Sequence, residues 1–498
     1  MTELAHPDRL AKLEAIRAAG LDPFPPRGVT ATPIEDLRKQ AGTAEEPGAL
    51  IGERVTITGR VMGLRDFGKL IFAPVQDRTG RLQTGLKKDL LTEWWPQRKW
   101  LDAGDQIAIS GELSFTQKGE VTIWADEVQL LAKALAPPPE KWHGLTDKEA
   151  RYRRRYVDMW ASEGVLDVFK KRSKVLSEIR HFLEERGYLE VETPTLHPIV
   201  GGASARPFVT HHNALDSELY LRIAPELYLK RLIVGGMERV FEVARNFRNE
   251  GLSIRHNPEF TMLELYEAQS DYRGMMELTE SMFERLALAL NGTTKCEFRG
   301  ATYDLKAPFQ RKRYPDLFQE ANGCEFDDEP AVRARAKELG LGHENEHFWG
   351  LLDDVFDATV EKDLAGPIFV TDYPLPISPL AKKSPDDPRL TERFEIFIAG
   401  MELGNAFTEL NDPIDQEARF AQQVASKDPE APGEVDIDYV QALEYGMPPT
   451  GGLGVGIDRL VMVLTGQESI RDVLLFPAMR RTDGVSLETA DDDSDPAS

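Results

Sequence analysis

The sequence predicts an α+β protein, a small N-terminal β-barrel followed by a larger domain in which strands and long helices are interspersed. Three observations carry this reading. Five short β-prone runs crowd between Val55 and Leu131, and three consecutive prolines, Pro137 to Pro139, close that stretch. From Val165 onward, amphipathic helical patterns flank a long hairpin pattern over residues 240–267.

At 498 residues the chain has room for roughly three domains, and its 41% hydrophobic and 29% charged content is that of a globular protein. No apolar run reaches about 18 residues, and the opening MTELAHPDRL lacks the basic and apolar regions of a secretory leader, so a cytoplasmic location with no membrane association is expected. Cys296 and Cys324 are the two cysteines, with no CxxC pair, which argues against a disulfide framework or a cysteine zinc site. A formal charge of -24 argues against a simple basic nucleic-acid binder without excluding one. Local patches matter more: residues 151–155 read RYRRR, whereas the chain after Val485 is purely acidic.

Residues 1–50 form an N-terminal helical segment. Leu10, Leu13 and Ile16 recur at helical spacing over 8–19, Pro23, Pro25 and Pro26 interrupt, and a second short helix covers Pro33 to Gln40. The barrel occupies 51–136, with strands over 55–62, 69–77, 80–86, 106–113 and 120–131 and a helical stretch near Leu90 to Lys99 between the third and fourth. That order is what an OB-fold requires. Pro74 interrupts the second strand, so an edge position or a bulge is expected there. A linker follows over 137–160, its basic run being solvated, facing RNA or lying between domains.

The second domain spans 161–482. It opens with an amphipathic helix from Val165 whose stripe is Val168, Val175, Leu176, Ile179, Phe182 and Leu183, capped near Gly187, and continues into a strand over 188–194 stopped by Pro194. Residues 306–372 are rich in acids and helix formers and are expected to be a helical insertion. Alternation returns over 393–410, a glycine-rich strand runs into a helix over 451–466, and an acidic disordered tail fills 483–498.

The chemistry centres on the hairpin. Val240, Phe241 and Val243 lead into a polar loop holding Arg245, Arg248, Glu250, Arg255 and His256. The return strand places Phe260, Met262, Glu264 and Tyr266 on one face. A carboxylate on an otherwise apolar face needs a partner. Guanidinium forks bind phosphate and an aromatic ring covers a base, so the arrangement suits a ligand with both phosphates and a cation. Gly451, Gly452, Gly454 and Gly456 fit neither GxGxxG nor GxxxxGK[ST], which excludes the Rossmann and P-loop readings on spacing.

The string RNFRNE followed by RHNPEF closely resembles motif 2 of the class II aminoacyl-tRNA synthetases, the helix, strand and proline over 165–194 resemble motif 1, and GVGIDR resembles motif 3. GGASARPFV, GNAFTELND and ALEYGMPPT are similar to the lysyl enzymes that carry an OB-fold before the catalytic domain. The resemblance implies an OB-fold barrel plus a catalytic antiparallel sheet flanked by helices, acting as a homodimer. It also implies ATP-dependent attachment of L-lysine to the 3' end of tRNA(Lys) through a lysyl-adenylate, with Mg2+.

Site roles follow from the same resemblance. Arg248 and Arg459 are the catalytic arginines; Glu250, His256, Asn257, Phe260 and Glu395 join them around ATP, with Phe260 and Arg459 on opposite faces of the adenine. Glu395 and Glu402 hold the metal. Gly202, Glu226, Arg248, Glu264, Tyr266, Asn405, Phe407 and Glu409 surround lysine, Glu226 taking the α-ammonium and Glu264 and Glu409 the ε-ammonium. In the barrel, Arg65, Phe72, Gln83 and Glu127 match positions that read the anticodon. A paralogue that lysylates a protein is disfavoured by the presence of the barrel, and a silent RNA-binding descendant by retention of both arginines and the acids.

Overall fold

The computed structural model describes residues 5–42, 50–139, 145–342, 347–426 and 434–480, and divides into two units, Met1–Thr146 and Asp147–Ser498. The acidic tail expected to be disordered lies outside the described residues.

In the first unit, helix α1 (Pro7–Ala18) begins at a proline, whose missing N–H costs nothing there, and buries Leu13 and Ile16. Arg9 anchors it by donating to the carbonyls of Ala103, Ala134 and Ala136. Helix α2 (Ile34–Ala41) buries Ile34 and Leu37. The strands are β1 (Leu50–Val61), β2 (Arg65–Asp66), β3 (Leu70–Phe72), β4 (Val75–Gln76), β5 (Arg81–Lys87), β6 (Gln106–Phe115) and β7 (Val121–Ala132). Their order is β2-β3-β5-β4-β1-β6-β7, and a parallel pairing of β5 with β7 closes the barrel around Ile57, Val75, Leu82, Ile109 and Ile123.

Pro74 breaks the second run into β3 and β4, as its missing donor requires; its carbonyl still accepts from Met62 N–H at 2.8 Å. The helical stretch expected at Leu90–Lys99 is corrected to turns followed by a 3-10 helix, Trp95–Trp100. Pro96 withholds a donor and Trp95 turns into the core, so a regular α-helix does not propagate.

The second unit starts where a linker was expected. Residues 148–161 instead form α3 (Lys148–Arg153) and α4 (Arg155–Ala161). Arg155 of the basic run is fully buried, paired with Asp158 at 2.9 Å and donating to the carbonyls of Arg471, Leu474 and Leu475. A guanidinium with five donors can satisfy that many acceptors, which an exposed linker cation does not face.

Helix α5 (Val165–Glu184) follows, then β8 (Leu189–Glu190), shorter than the strand expected over 188–194, β9 (Leu196–His197), β10 (Val209–His212) and β11 (Ser217–Leu221). Helix α6 (Glu226–Val234) precedes the hairpin of β12 (Arg239–Phe247) and β13 (Glu259–Ala268). After it come α7 (Tyr272–Asn291), the small ribbon β14 (Lys295–Phe298) and β15 (Ala301–Asp304), β16 (Gln310–Arg313), α8 (Tyr314–Asn322), α9 (Glu329–Leu339), α10 (Phe348–Thr359) and β17 (Ile368–Thr371). Then come β18 (Arg393–Phe397), β19 (Glu402–Thr408), α11 (Pro413–Ser426), α12 (Ile437–Glu444), β20 (Thr450–Gly456), α13 (Ile457–Thr465) and α14 (Ile470–Val473).

The eight-stranded sheet runs β16-β17-β18-β19-β20-β13-β12-β8, with antiparallel neighbours through its centre and parallel pairs at both edges. Its edge corrects the reading of 306–372 as wholly helical. The segment has its own core around Tyr314, Phe318, Leu352 and Phe356, but its ends, β16 and β17, are strands of the sheet. The sequence hid β16 because QRKR is an exposed, charged edge strand with no apolar face to alternate.

Strand alternation sorts the sheet into two faces. Phe241, Leu263, Leu265, Phe394, Ile396, Leu403, Leu453 and Val455 point to a core shared with α5, α7 and α13. The residues between them point the other way and bear the site. Among the described residues no helix is long and apolar enough to cross a membrane.

Candidate active site

A cavity of about 420 Å³ lies on that second face, lined by β13, β19 and β20, the loop after β12, the start of α6 and the N-terminus of α13. Its floor is made by missing side chains. Register places Gly452 between Tyr266 and Phe407, and Gly454 between Glu264 and Asn405. A Cβ on Gly452 would stand 2.0 Å from Glu409 Oε1 and 2.6 Å from the Tyr266 ring, so only glycine admits those two side chains. This period-2 run of glycines is the physical content of the stretch that fitted no phosphate loop.

One end of the cavity is acidic. Glu226, Glu264 and Glu409 are each buried there. Tyr266 donates its hydroxyl to Glu264 Oε2 at 3.1 Å, and Lys230 Nζ lies 2.6 Å from Glu226 Oε1 and 2.8 Å from Glu409 Oε2. Burial, with Glu226 adding repulsion, pushes the Glu264 carboxyl up to about 8. Burial also pushes Glu409 up to about 8, against the pull of Lys230. Gly202, at φ +86°, passes close enough to this end that a Cβ would come within 3.2 Å of Glu226 Cβ.

The other end is built for anions and for the charges that accompany them. Arg248 follows β12 and stacks its guanidinium 5.1 Å from the Phe260 ring; its Nε is buried without a partner. Arg459 reaches from α13 to the Glu402 carbonyl at 2.8 Å, to Glu402 Oε2 at 3.2 Å and to His256 Nε2 at 3.0 Å. Because a guanidinium only donates, that imidazole is neutral and keeps its proton on Nδ1, 3.0 Å from Ser253 Oγ. Burial and the adjacent Arg459 hold the His256 pKa below its usual value. Asp458 fixes the start of α13, accepting from Thr261 N–H at 2.8 Å and pairing with Arg172 at 2.5 Å.

Glu395 receives Arg393 at 2.5 Å and the Tyr373 hydroxyl at 2.9 Å. Burial pushes its pKa up to about 7 against Arg393, with Glu402 and Asp353 adding repulsion. Arg393 also donates to Asn405 Oδ1 at 3.0 Å, so one cation orients a residue of each end. Among the described residues no three His, Cys, Asp or Glu side chains converge closely enough to hold a metal ion unaided. Glu395, Glu402 and Asp353 nevertheless share one wall of the cavity, a crowding of carboxylates that a cation would relieve.

Of the residues expected around nucleotide, amino acid and metal, all line this cavity: Gly202, Glu226, Arg248, Glu250, His256, Asn257, Phe260, Glu264, Tyr266, Glu395, Glu402, Asn405, Phe407, Glu409 and Arg459. Two details differ from expectation. Asn257 uses its carboxamide on the Glu259 carbonyl and Ala478 N–H, and Arg245, expected in the polar loop, is an exposed residue of β12. Lys230, Arg393 and Asp353 were missed, although Lys230 stands one helical turn after Glu226 and Arg393 two strand positions before Glu395.

In the barrel, Arg65, Phe72 and Gln83 come together: Arg65 donates to Gln83 Oε1 at 2.8 Å and lies 5.8 Å from the Phe72 ring. Phe72 is half-buried, against Trp124 at 5.9 Å and the exposed Phe67 at 6.2 Å. A Cβ on Gly85 would stand 2.4 Å from the Trp124 ring, so this glycine leaves the indole room over the sheet, with Lys87 above it at 3.6 Å. Glu127 instead pairs with Arg54 at 2.8 Å.

A family model described as tRNA synthetases class II (D, K and N) matches residues 147–480, and one described as OB-fold nucleic acid binding domain matches 55–131. The chain is 50% identical over 485 residues to the lysine–tRNA ligase of Carboxydothermus hydrogenoformans, covering 95% of this chain and 98% of that protein. It is 49% identical over 492 residues to the lysine–tRNA ligase of a Roseiflexus species, with coverage of 95% and 98%. That of Magnetococcus marinus is 49% identical over 483 residues, with coverage of 95% and 96%.

Proposed function

Because the chain belongs to the lysyl branch of the class II aminoacyl-tRNA synthetases and is a lysine–tRNA ligase that uses ATP, we propose that the cavity on the glycine-floored face is where lysyl-adenylate forms. The observation that carries this reading is the set of three buried acids facing the cavity at one end while unpartnered guanidinium and stacking groups face it at the other. Acids suit a dicationic amino acid; a site that left them unpaired with a neutral one would discriminate by roughly 10⁴.

In this assignment Glu226 takes the α-ammonium and Glu264 and Glu409 the ε-ammonium, with Gly202, Tyr266, Asn405 and Phe407 around the side chain. Arg248 holds the lysine carboxylate beside the α-phosphate. A carboxylate oxygen attacks the α-phosphorus, the bond to the bridging oxygen breaks, and pyrophosphate leaves with that electron pair. No protein nucleophile is needed; alignment and fixed positive charge lower the barrier. Phe260 and Arg459 stack the adenine, Glu250 and Asn257 contact its edge, and His256 faces the outer phosphates. The terminal ribose hydroxyl of tRNA(Lys) then attacks the acyl carbon and AMP departs.

Glu395 and Glu402 would hold Mg2+, which supplies charge neutralisation on the triphosphate; two hard oxygen ligands from protein with the rest from phosphate and water suit that ion. Arg65, Phe72, Gln83 and Glu127 would read the anticodon from the barrel, residues 51–136, with the catalytic domain over 161–482 and α3 and α4 attached to it. We also assign a homodimer and a cytoplasmic location.

Amino-acid-dependent ATP/pyrophosphate exchange, with magnesium and without tRNA, run separately for the twenty amino acids, tests this. Exchange with lysine alone is expected. Exchange with aspartate or asparagine would overturn the pocket assignment.

A further inference from the structure

Lys230 sits on α6 with no exposed surface, behind the cavity rather than in its lining. Its Nζ lies 2.6 Å from Glu226 Oε1 and 2.8 Å from Glu409 Oε2, and the rings of Phe407 and Tyr439 are 5.8 and 5.4 Å away. Such burial alone disfavours an ammonium, and here the two carboxylates outweigh it and hold Lys230 protonated. Glu409 therefore spends one oxygen on a built-in cation. Its other oxygen, Oε1, is buried with no partner and stands over Gly452, on the cavity side. A buried acceptor left open is costly unless something arrives to fill it.

We propose that Lys230 is a positioning and specificity-determining residue for lysine activation: its ammonium fixes Glu226 and Glu409, aims the free Glu409 oxygen into the pocket, and supplies one of the three positive charges that three pocket acids require. Two places remain for the substrate. An amino acid with an α- and an ε-ammonium balances the site, while its carboxylate is matched separately by Arg248; a monocationic amino acid leaves an acid unpaired. This rests on the assignment of the acidic end to lysine.

The groups that decide the charge balance are Glu226 on the same helix, Glu409 after β19, Glu264 and Tyr266 on β13, and the Tyr439 hydroxyl on α12. Removing the ammonium lets Glu409 keep its proton to higher pH, and that proton must leave before the carboxylate can accept the substrate.

The test is ATP/pyrophosphate exchange by full-length Lys230→Met from pH 7 to 9, with KM measured for lysine and for ATP. The lysine KM at pH 7 is expected to rise at least about 30-fold while the ATP KM stays within about twofold, and the lysine defect is expected to narrow toward pH 9. Lys230→Gln, which keeps hydrogen bonding without charge, takes the same measurement if the methionine variant does not fold. A lysine KM within about threefold of wild type, or a pH-independent rise shared with ATP, overturns the role of Lys230. Wild-type protein that does not exchange with lysine overturns the pocket assignment and this proposal together.

Discussion

Burial raises the pKa of Glu264 and, against the pull of Lys230, of Glu409 to about 8 in the empty pocket, from an ordinary value of 4.5. The folded state thus binds more protons than the unfolded chain between those values, and these two groups lower stability as pH climbs through that window. Lysine needs both carboxylates ionised, so its affinity is expected to rise from pH 6 to 8 and level off above. Calorimetric lysine titrations in buffers of different ionisation enthalpy should record proton release on binding that fades above pH 8; an affinity flat across pH 6 to 8 contradicts the pairing. Glu264 was legible because it shares a strand face with Phe260 and Tyr266, whereas Glu409 was legible only through the family resemblance of GNAFTELND. Lys230 was not: its partner Glu409 is 179 residues away, and no local pattern announces a contact that only the packing of α6 on the sheet creates.

Among the elements, the hairpin of β12 and β13 was legible, although β12 runs on to Phe247 and takes in Arg245, which was expected in the loop. Edge strands were less so: β16 has no buried face, and β8 keeps only two residues of the strand expected over 188–194. The helical stretch expected near Leu90–Lys99 shrinks to the 3-10 turn at Trp95–Trp100 because Pro96 withholds a donor. In the barrel, β2, β3 and β5 bring Arg65, Phe72 and Gln83 to one surface, and β7 adds Trp124, which sequence spacing did not single out. Phe72→Ala is expected to raise the KM for tRNA(Lys) by about tenfold or more while leaving tRNA-independent exchange unchanged. Charging kinetics equal to wild type would remove Phe72 from the anticodon contact.

The whole molecule divides its tasks between units with separate cores, and every residue lining the cavity belongs to the second. A chain lacking residues 1–146 is therefore expected to keep lysine-dependent exchange within about tenfold and to lose tRNA charging by a larger factor, at least about a hundredfold. Loss of both activities in parallel would show that the barrel is needed for the chemistry itself. Within the second unit, reacting groups and core alternate along the same strands: Leu263, Leu265, Leu453 and Val455 face the helices while Glu264, Tyr266, Gly452 and Gly454 face the cavity. A slip of one residue would exchange the two sets. Inactivation by heat and melting of this sheet are therefore expected to coincide, which lysine-dependent exchange and near-UV circular dichroism followed through one temperature ramp would check.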